Sequence, residues 1–185
     1  MTTLDDITTE RLILRLLSVE AIAATCDSDL RMVDQLLGCT MPGDWAEVQR
    51  LAGMRLEQLK DDIEYLPWSI RAVILRETNE AVGYVNFHAQ PAAHNTFPQA
   101  SNMAEIGYTI FEPWRRRGIA SEALAAMLRF AAENGADQAV LSIAPDNLPS
   151  LRLASRFGFV KIGTQIDEID GPEDIFLLPL SNLDR

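Results

Sequence analysis

Three adjacent arginines, residues 115–117, run directly into Gly-Ile-Ala and a sequence with helical periodicity. The first turn of a helix has unpaired backbone N–H groups and the positive end of the helix dipole, so it can bind phosphate. Gly118 and Ala120 would let an anion approach that backbone closely, and guanidinium groups match phosphate geometry. Residues 115–121 therefore predict an anion site. The alternative is a solvated basic patch that pairs with acids such as Glu112.

The spacing of this segment excludes two common nucleotide-binding motifs. Neither Gly-x-x-x-x-Gly-Lys-Ser/Thr nor Gly-x-Gly-x-x-Gly fits it. The chain carries a formal net charge of −11, which argues against a nucleic-acid surface, and one arginine tripeptide gives few phosphate contacts. With two histidines, two cysteines and no clustering of either, no metal site is expected.

Hydrophobic periodicity indicates the elements that position this segment. Strands are predicted over residues 8–17, 68–77, 81–88, 104–111, 138–144, 159–163 and 174–180. Hairpins upstream imply antiparallel pairing, whereas the strand–helix alternation through 104–163 implies some parallel pairing. We expect an α+β (mixed α/β) fold with one mixed, mostly antiparallel sheet of about six or seven strands and helices on both faces. Pro179 predicts that the last strand ends at an edge.

Helix boundaries follow from capping residues and glycines. Ser18 and the cluster at 27–29 predict two short helices, the second ending at Gly38. A capping box of Asp44 and Glu47 predicts a third helix to about residue 64, with Ile63 on its buried stripe. A long helix then ends near Gly135, and a last one has Pro149 in its first turn and stops at Gly158.

The remaining composition is that of one globular domain over residues 1–185. No run of eighteen or more apolar residues predicts a membrane span, and the N-terminus lacks the features of a secretory signal. Cys26 and Cys39 are expected to be reduced and structural, in a cytoplasmic protein. Residues 89–103 form a long loop without periodicity.

Three stretches carry a resemblance to a known family. "ERLILR" at 10–15, "AEIGYTIFEPWRRRGIASEAL" at 104–124 and "IAPDNLPSLRLASRFGFVKIG" at 143–163 together resemble the GNAT superfamily of N-acetyltransferases. They are more closely similar to its RimJ/RimL branch of ribosomal-protein N-terminal acetyltransferases. The resemblance runs from about residue 8 to 180 and implies a GNAT-like fold, with acetyl-CoA as co-substrate.

The same resemblance implies a set of cofactor-binding residues. The family's Arg/Gln-x-x-Gly-x-Gly/Ala signature falls on a loop that would hold the CoA pyrophosphate, namely Arg115, Arg116, Arg117, Gly118, Ile119, Ala120 and Ser121. The preceding strand splays from its neighbour in this family, so backbone groups of Tyr108, Thr109 and Ile110 would pair with pantetheine. Asn147 matches an asparagine that contacts the cofactor arm, and it suits a helix N-cap equally.

Acetyl transfer to an amine needs a base for the amine and an acid for the leaving thiolate. Glu105 is the candidate base; alternatively it is a surface carboxylate at a strand end. The backbone N–H of Ile110 could polarise the thioester oxygen. Many relatives have a tyrosine as the acid seven residues after the asparagine, but Ala154 stands there. Ser150 is the replacement candidate, or a helix first-turn serine, and Tyr108 is the third, or a packing aromatic.

The resemblance implies that the acceptor is a protein N-terminal α-amine or a small-molecule amine. In this fold the acceptor site is lined by the first two helices and the 89–103 loop. Their sequences contain no recognisable motif that identifies the acceptor. His88 and His94 are expected to be a strand and a loop residue rather than catalysts. The alternative function is a non-catalytic acyl-CoA-binding regulatory module. We expect a monomer or homodimer without nucleic-acid or membrane partners.

Overall fold

The computed structural model describes residues 4–91, 102–167 and 171–182. The chain groups into two compact units, residues 1–87 with 108–126 (unit 1) and residues 88–107 with 127–185 (unit 2). A single domain over the whole chain stays a prediction.

Within the described ranges the chain forms eight strands and five α-helices. The strands are β1 (Ile7–Thr8), β2 (Leu12–Leu16), β3 (Arg71–Leu75), β4 (Glu80–Phe87), β5 (Met103–Ile110), β6 (Gln138–Ile143), β7 (Val160–Asp167) and β8 (Gly171–Pro179). The helices are α1 (Val19–Cys26), α2 (Leu30–Leu37), α3 (Gln49–Asp61), α4 (Ile119–Glu133) and α5 (Leu148–Arg156). The expected mostly antiparallel α+β fold is confirmed, with the short β1 added to the predicted strands.

Unit 1 contains an antiparallel run of strands in the order β1-β2-β3-β4. Leu14 lies opposite Val73 in neighbouring strands, and both are fully buried. The predicted caps are confirmed: the Ser18 side chain accepts a hydrogen bond from the backbone N–H of Ala21, and Asp29 caps α2 in the same way. Gly38 ends α2 with a φ of 61°, a left-handed conformation that glycine adopts without strain.

The predicted start of the third helix is wrong. Residues Gly43–Val48 form a 3₁₀ helix whose N-cap is Pro42. Trp45 is fully buried and donates its indole N–H to the Thr25 hydroxyl, which fixes this turn by tertiary contact instead of by a capping box. The α-helix begins only at residue 49 and ends at 61, so Ile63 is 57% exposed rather than buried.

Unit 2 contains strands in the order β5-β6-β8-β7. The β5–β6 pairing is parallel, as the connection through α4 predicts, whereas β8 runs antiparallel to both β6 and β7. Strand β8 as a whole lies between β6 and β7, but its pairing with β7 ends at Leu177, and its last two residues pair with β6 alone. The end of the strand therefore lies at an edge, as Pro179 predicts. Met103, Val140 and Ile175 form a buried apolar cluster in this unit.

Candidate active site

The connection between β5 and α4 turns sharply at the predicted phosphate loop. A short 3₁₀ helix, Glu112–Trp114, is followed by Arg116 and Gly118 with φ values of 62° and 78°. A left-handed backbone costs a residue with a side chain about 1–2 kcal/mol, and glycine adopts it without that penalty. The first helical hydrogen bond runs from the Glu122 N–H to the Gly118 carbonyl, at 3.1 Å. The backbone N–H groups of residues 119–121 therefore precede the helical hydrogen-bond pattern.

Two of the three arginines are held by nearby carbonyl groups. Arg115 donates from Nε to the Ile110 carbonyl oxygen at 2.8 Å, and Arg117 donates from Nη2 to the Pro113 carbonyl oxygen at 2.9 Å. All three arginines are exposed. The ion pairs found among the described residues include none between these arginines and Glu112. In the part of the chain that the structure describes, Arg115 and Arg117 are thus held by backbone carbonyl groups rather than by Glu112.

A brace formed by Thr9, Arg11 and Glu122 holds the loop from the side of β2. The Glu122 carboxylate accepts hydrogen bonds from the Thr9 hydroxyl (2.6 Å), the Arg11 backbone N–H (2.8 Å) and Arg11 Nε (2.7 Å). Arg11 Nη1 donates onward to the Arg117 carbonyl oxygen at 3.0 Å. The sequence places Arg11 only within the predicted strand of residues 8–17 and gives it no role at the loop.

The brace shifts the ionisation of Glu122. Burial raises the pKa of this carboxyl group. Hydrogen bonds from Thr9 and Arg11, together with the charge of Arg11, lower it by more than burial raises it, so the net pKa lies below its ordinary value of 4.5. A lowered folded-state pKa adds stability that is present above the ordinary pKa and is lost as the pH falls through the folded value. The loop is therefore braced most firmly near neutral pH.

We expect Glu122→Gln to destabilise the protein by about 2 kcal/mol at pH 7, because charge-assisted hydrogen bonds are lost. The difference in unfolding free energy from the wild type should narrow as the pH falls below 4.5 and through the lowered folded-state pKa, where the wild-type carboxylate also protonates. Urea unfolding across this pH range measures it. Glu133 is an exposed residue of the same helix, and Glu133→Gln is the control. It should leave the free energy of unfolding unchanged at every pH. A loss that stays constant with pH would contradict the brace.

Strand β4 approaches the end of β5 so closely that only glycine fits at position 83. A Cβ atom there would lie 2.1 Å from the Thr109 carbonyl oxygen and 3.0 Å from the Ile110 Cα. The Phe111 N–H donates to the Val82 carbonyl oxygen at 2.9 Å beside this contact. Gly83 therefore sets the position of the backbone proposed to bind pantetheine.

Parallel pairing between β5 and β6 involves only the first three residues of β5, from Met103 to Glu105, out of eight. In a regular parallel pair the ladder would continue along both strands. The early end of the pairing fits the splayed strand that the family resemblance implies.

A second set of polar side chains lies in unit 2, where Ser142 and His88 contact the carboxylate of Glu105. The Ser142 hydroxyl donates to Glu105 Oε1 at 2.6 Å, and His88 Nδ1 lies 3.2 Å from the same oxygen. The Glu105 side chain is 13% exposed and that of His88 is 44% exposed. Glu105 is thus not the solvated surface carboxylate of the alternative interpretation. Sequence reasoning missed Ser142 and expected no catalytic part for His88.

The two candidate acids have different surroundings. Ser150 lies in the first turn of α5, where its backbone N–H donates to Asn147 Oδ1 at 3.2 Å, so Asn147 is the helix N-cap. The Tyr108 hydroxyl is buried, and strand alternation directs its side chain to the face of β5 opposite Glu105. Ala154, at the position of the tyrosine of many relatives, is fully buried and carries no group that could donate a proton.

The cysteines lack the features of nucleophiles. Both are free, burial raises the pKa of the Cys39 thiol to about 11, and burial likewise raises that of Cys26. A raised pKa disfavours the reactive thiolate. His94 and most of the 89–103 loop lie outside the described residues. Among the described residues, no group of three or more potential ligands could hold a metal ion, and no helix is long and apolar enough to cross a membrane.

Comparison with known proteins identifies the family. The model of the acetyltransferase (GNAT) domain matches residues 11–160. The chain therefore belongs to the GNAT family of acetyltransferases, which use acetyl-CoA as co-substrate. No curated protein matches the sequence.

Solved structures agree with the expected branch. A putative ribosomal-protein-serine acetyltransferase from Vibrio cholerae is 25% identical, with a TM-score of 0.63 over 97% of this chain and 99% of that chain. Mycobacterium smegmatis RimJ in complex with CoA-disulfide is 20% identical, with a TM-score of 0.66 over 98% and 90%. RimL, a ribosomal α-N-protein acetyltransferase in complex with coenzyme A, is 18% identical, with a TM-score of 0.62 over 95% and 98%. Because their identities are only 20% and 18%, the last two similarities show a shared fold alone.

The residues present fit acetyl-CoA. The left-handed glycine at position 118, the N–H groups at the start of α4 and three exposed guanidinium groups suit a pyrophosphate. When bound, acetyl-CoA supplies an acetyl group already activated as a thioester.

Proposed function

We propose that this protein transfers the acetyl group of acetyl-CoA directly to a primary amine, with a protein N-terminal α-amine as the first candidate acceptor. The observation that carries the proposal is the loop of residues 115–121, with its glycine in the left-handed conformation at the start of α4. The α-amine is favoured because the similar solved proteins are named as ribosomal-protein acetyltransferases. A small-molecule amine is the second candidate.

The proposed roles in cofactor binding divide between backbone and side chains. The N–H groups of Ile119, Ala120 and Ser121 bind the pyrophosphate, together with the guanidinium groups of residues 115–117. The backbone of residues 108–110 binds pantetheine. Asn147 caps α5, and we propose that it also contacts the cofactor arm.

The proposed roles in catalysis follow from what the amine requires. An α-amine has a pKa of about 8 and loses its proton readily, unlike a lysine side chain at about 10.4. Glu105 accepts that proton, directly or through water, and the N–H of Ile110 polarises the thioester oxygen. Ser150 or Tyr108 donates a proton to the leaving thiolate. We expect direct transfer without an acyl-enzyme on either cysteine, since burial raises the pKa of both thiols and so disfavours the reactive thiolate.

A panel of acceptors tests this function. Purified protein is incubated with acetyl-CoA and, separately, a peptide with a free N-terminus, the same peptide with a blocked N-terminus and one lysine, and a polyamine. Mass spectrometry of the products should locate the acetyl group on the free α-amine. Acetylation of the polyamine alone would show that the acceptor is a small-molecule amine rather than a protein N-terminal α-amine. No product from any amine would refute the proposed transfer.

We expect Glu105→Gln to lower kcat by about 100-fold, the lower range for loss of a general base. The loss should be greatest at low pH, where more of the acceptor is protonated and needs a base. Rates of CoA release between pH 6 and 9 measure it, and acetyl-CoA binding should be unchanged. A pH profile identical to that of the wild type would remove Glu105 from the mechanism.

One observation favours the alternative of a non-catalytic acyl-CoA-binding module. Ala154 is buried where many relatives have their catalytic tyrosine. Such a module would bind acetyl-CoA and release no CoA with any acceptor. The cytoplasmic location and the monomeric or dimeric state stay predictions.

A further inference from the structure

We propose that Ser142 and His88 are positioning residues that hold the Glu105 carboxylate in the orientation needed to accept a proton from the amine. This inference rests on the proposed function, in which Glu105 is the base. It adds Ser142 of β6 and His88, which directly follows β4, to a proton-accepting role that the sequence assigns to Glu105 alone.

Both contacts converge on one oxygen atom. The Ser142 hydroxyl donates to Glu105 Oε1 at 2.6 Å, and His88 Nδ1 lies 3.2 Å from that atom. A short hydrogen bond to a carboxylate is about twice as strong as one between neutral groups. Two partners on the same oxygen restrict rotation of the carboxylate, which would otherwise move freely about its terminal torsion.

The backbone holds the three side chains in place. His88, directly after β4, donates its N–H to the Glu105 carbonyl oxygen at 2.9 Å. Glu105 lies opposite Val140 at the last residue pair between β5 and β6. Ser142 follows Val140 by two residues, so its side chain lies on the same face of β6. Beside them on unit 2, Met103 and Val140 belong to a buried apolar cluster, which gives these polar groups a rigid support.

The two positioning residues differ in exposure. Ser142 is half-buried, whereas the His88 side chain is 44% exposed. A contact at such an exposed side chain is weakened by solvent. Ser142 is therefore expected to contribute more to the orientation of Glu105 than His88 does.

Kinetics of matched variants test the positioning role. Ser142→Ala should lower kcat by about 10-fold and leave the KM for acetyl-CoA unchanged, because a charge-assisted hydrogen bond is lost. Ser142→Thr keeps the hydroxyl and should restore most of the rate. His88→Ala should lower kcat by a smaller factor, and His88→Asn, which keeps a donor near the Nδ1 position, should restore it. Ser155→Ala, an exposed serine of α5, is the control.

A double variant separates positioning from a general structural effect. In the Glu105→Gln background, Ser142→Ala should cause no further loss, because there is no base left to orient. A readout apart from activity comes from NMR of the imidazole rings, since the chain has only two histidines. Glu105→Gln should move the His88 ring signals, which His94→Gln assigns by elimination.

If the wild type is active, an unchanged kcat in Ser142→Ala would overturn the positioning role alone. Additive losses in the double variant would do the same. An unchanged His88 ring signal in Glu105→Gln would overturn the part of His88. If the wild type acetylates no amine, the proposed function fails and the positioning role falls with it. That outcome is distinguishable because it is already evident without any variant.

Discussion

Replacing Gly118 with tryptophan is expected to weaken acetyl-CoA binding by at least about 100-fold, or about 2.7 kcal/mol. The indole would occupy the space through which a pyrophosphate reaches the first N–H groups of α4. Gly118 has a φ of 78°, and a Cβ atom there would lie 3.3 Å from Arg11 Nη2. The variant thus fills the loop and presses on the brace of Thr9, Arg11 and Glu122. Isothermal titration with acetyl-CoA measures the loss.

The control for this variant must share its backbone strain. Gly158 has a φ of 82° after α5, and a Cβ atom there meets nothing within 4 Å. Gly158→Trp should lose a similar stability, about 1–2 kcal/mol, yet bind acetyl-CoA as the wild type does. If the folded Gly118→Trp variant retains wild-type affinity, or if both variants lose it equally, the loop of residues 115–121 does not bind the cofactor.

Gly83→Ala is the second substitution with a large expected effect. Its new methyl group would lie 2.1 Å from the Thr109 carbonyl oxygen, and the obstacle is backbone, which cannot rotate away as a flexible side chain can. Overpacking of this kind costs about 3 kcal/mol, which lowers Tm by about 6–12 °C for a chain of this size. Because β5 must shift at Thr109 and Ile110, acetyl-CoA affinity should also fall.

Gly53→Ala is the matched control for this substitution. Gly53 lies in α3, also in unit 1, where a Cβ atom meets nothing within 4 Å. Alanine there favours the helix and should leave the Tm unchanged or raise it slightly. Differential scanning calorimetry of both variants compares them. A Gly83→Ala protein with the wild-type Tm would contradict the close approach of β4 to β5.

The order of elements could be predicted because local signals agreed with one another. Ser18, Gly38 and Asn147 each occupy the cap position that their chemistry favours. The failures came where a distant contact decided the outcome. Buried Trp45 imposes a 3₁₀ turn on a segment with a good capping box, and no spacing rule reveals that Thr25 would receive its indole N–H.

The candidate site shows the same division. The motif at residues 115–121 is local, so its helix start and the use of a small residue at position 118 could be predicted, whereas the left-handed conformation of Gly118 came only from the structure. Thr9 and Glu122 are 113 residues apart, and Glu105 and Ser142 are 37 apart; such partners are brought together by the tertiary fold rather than by neighbouring sequence. The sequence indicated a role for Glu105, but it did not indicate that Ser142 would be the partner of Glu105.

Acetyl transfer with isotopically labelled acetyl-CoA tests the central claim most directly. The purified wild type is mixed with the labelled co-substrate and a peptide with a free N-terminus, and the products are read by mass spectrometry. The proposed function predicts label on the α-amine and stoichiometric release of CoA, with both lost in Gly118→Trp. Tight binding of acetyl-CoA without label on that peptide or any other amine would contradict it and identify a non-catalytic acyl-CoA-binding protein.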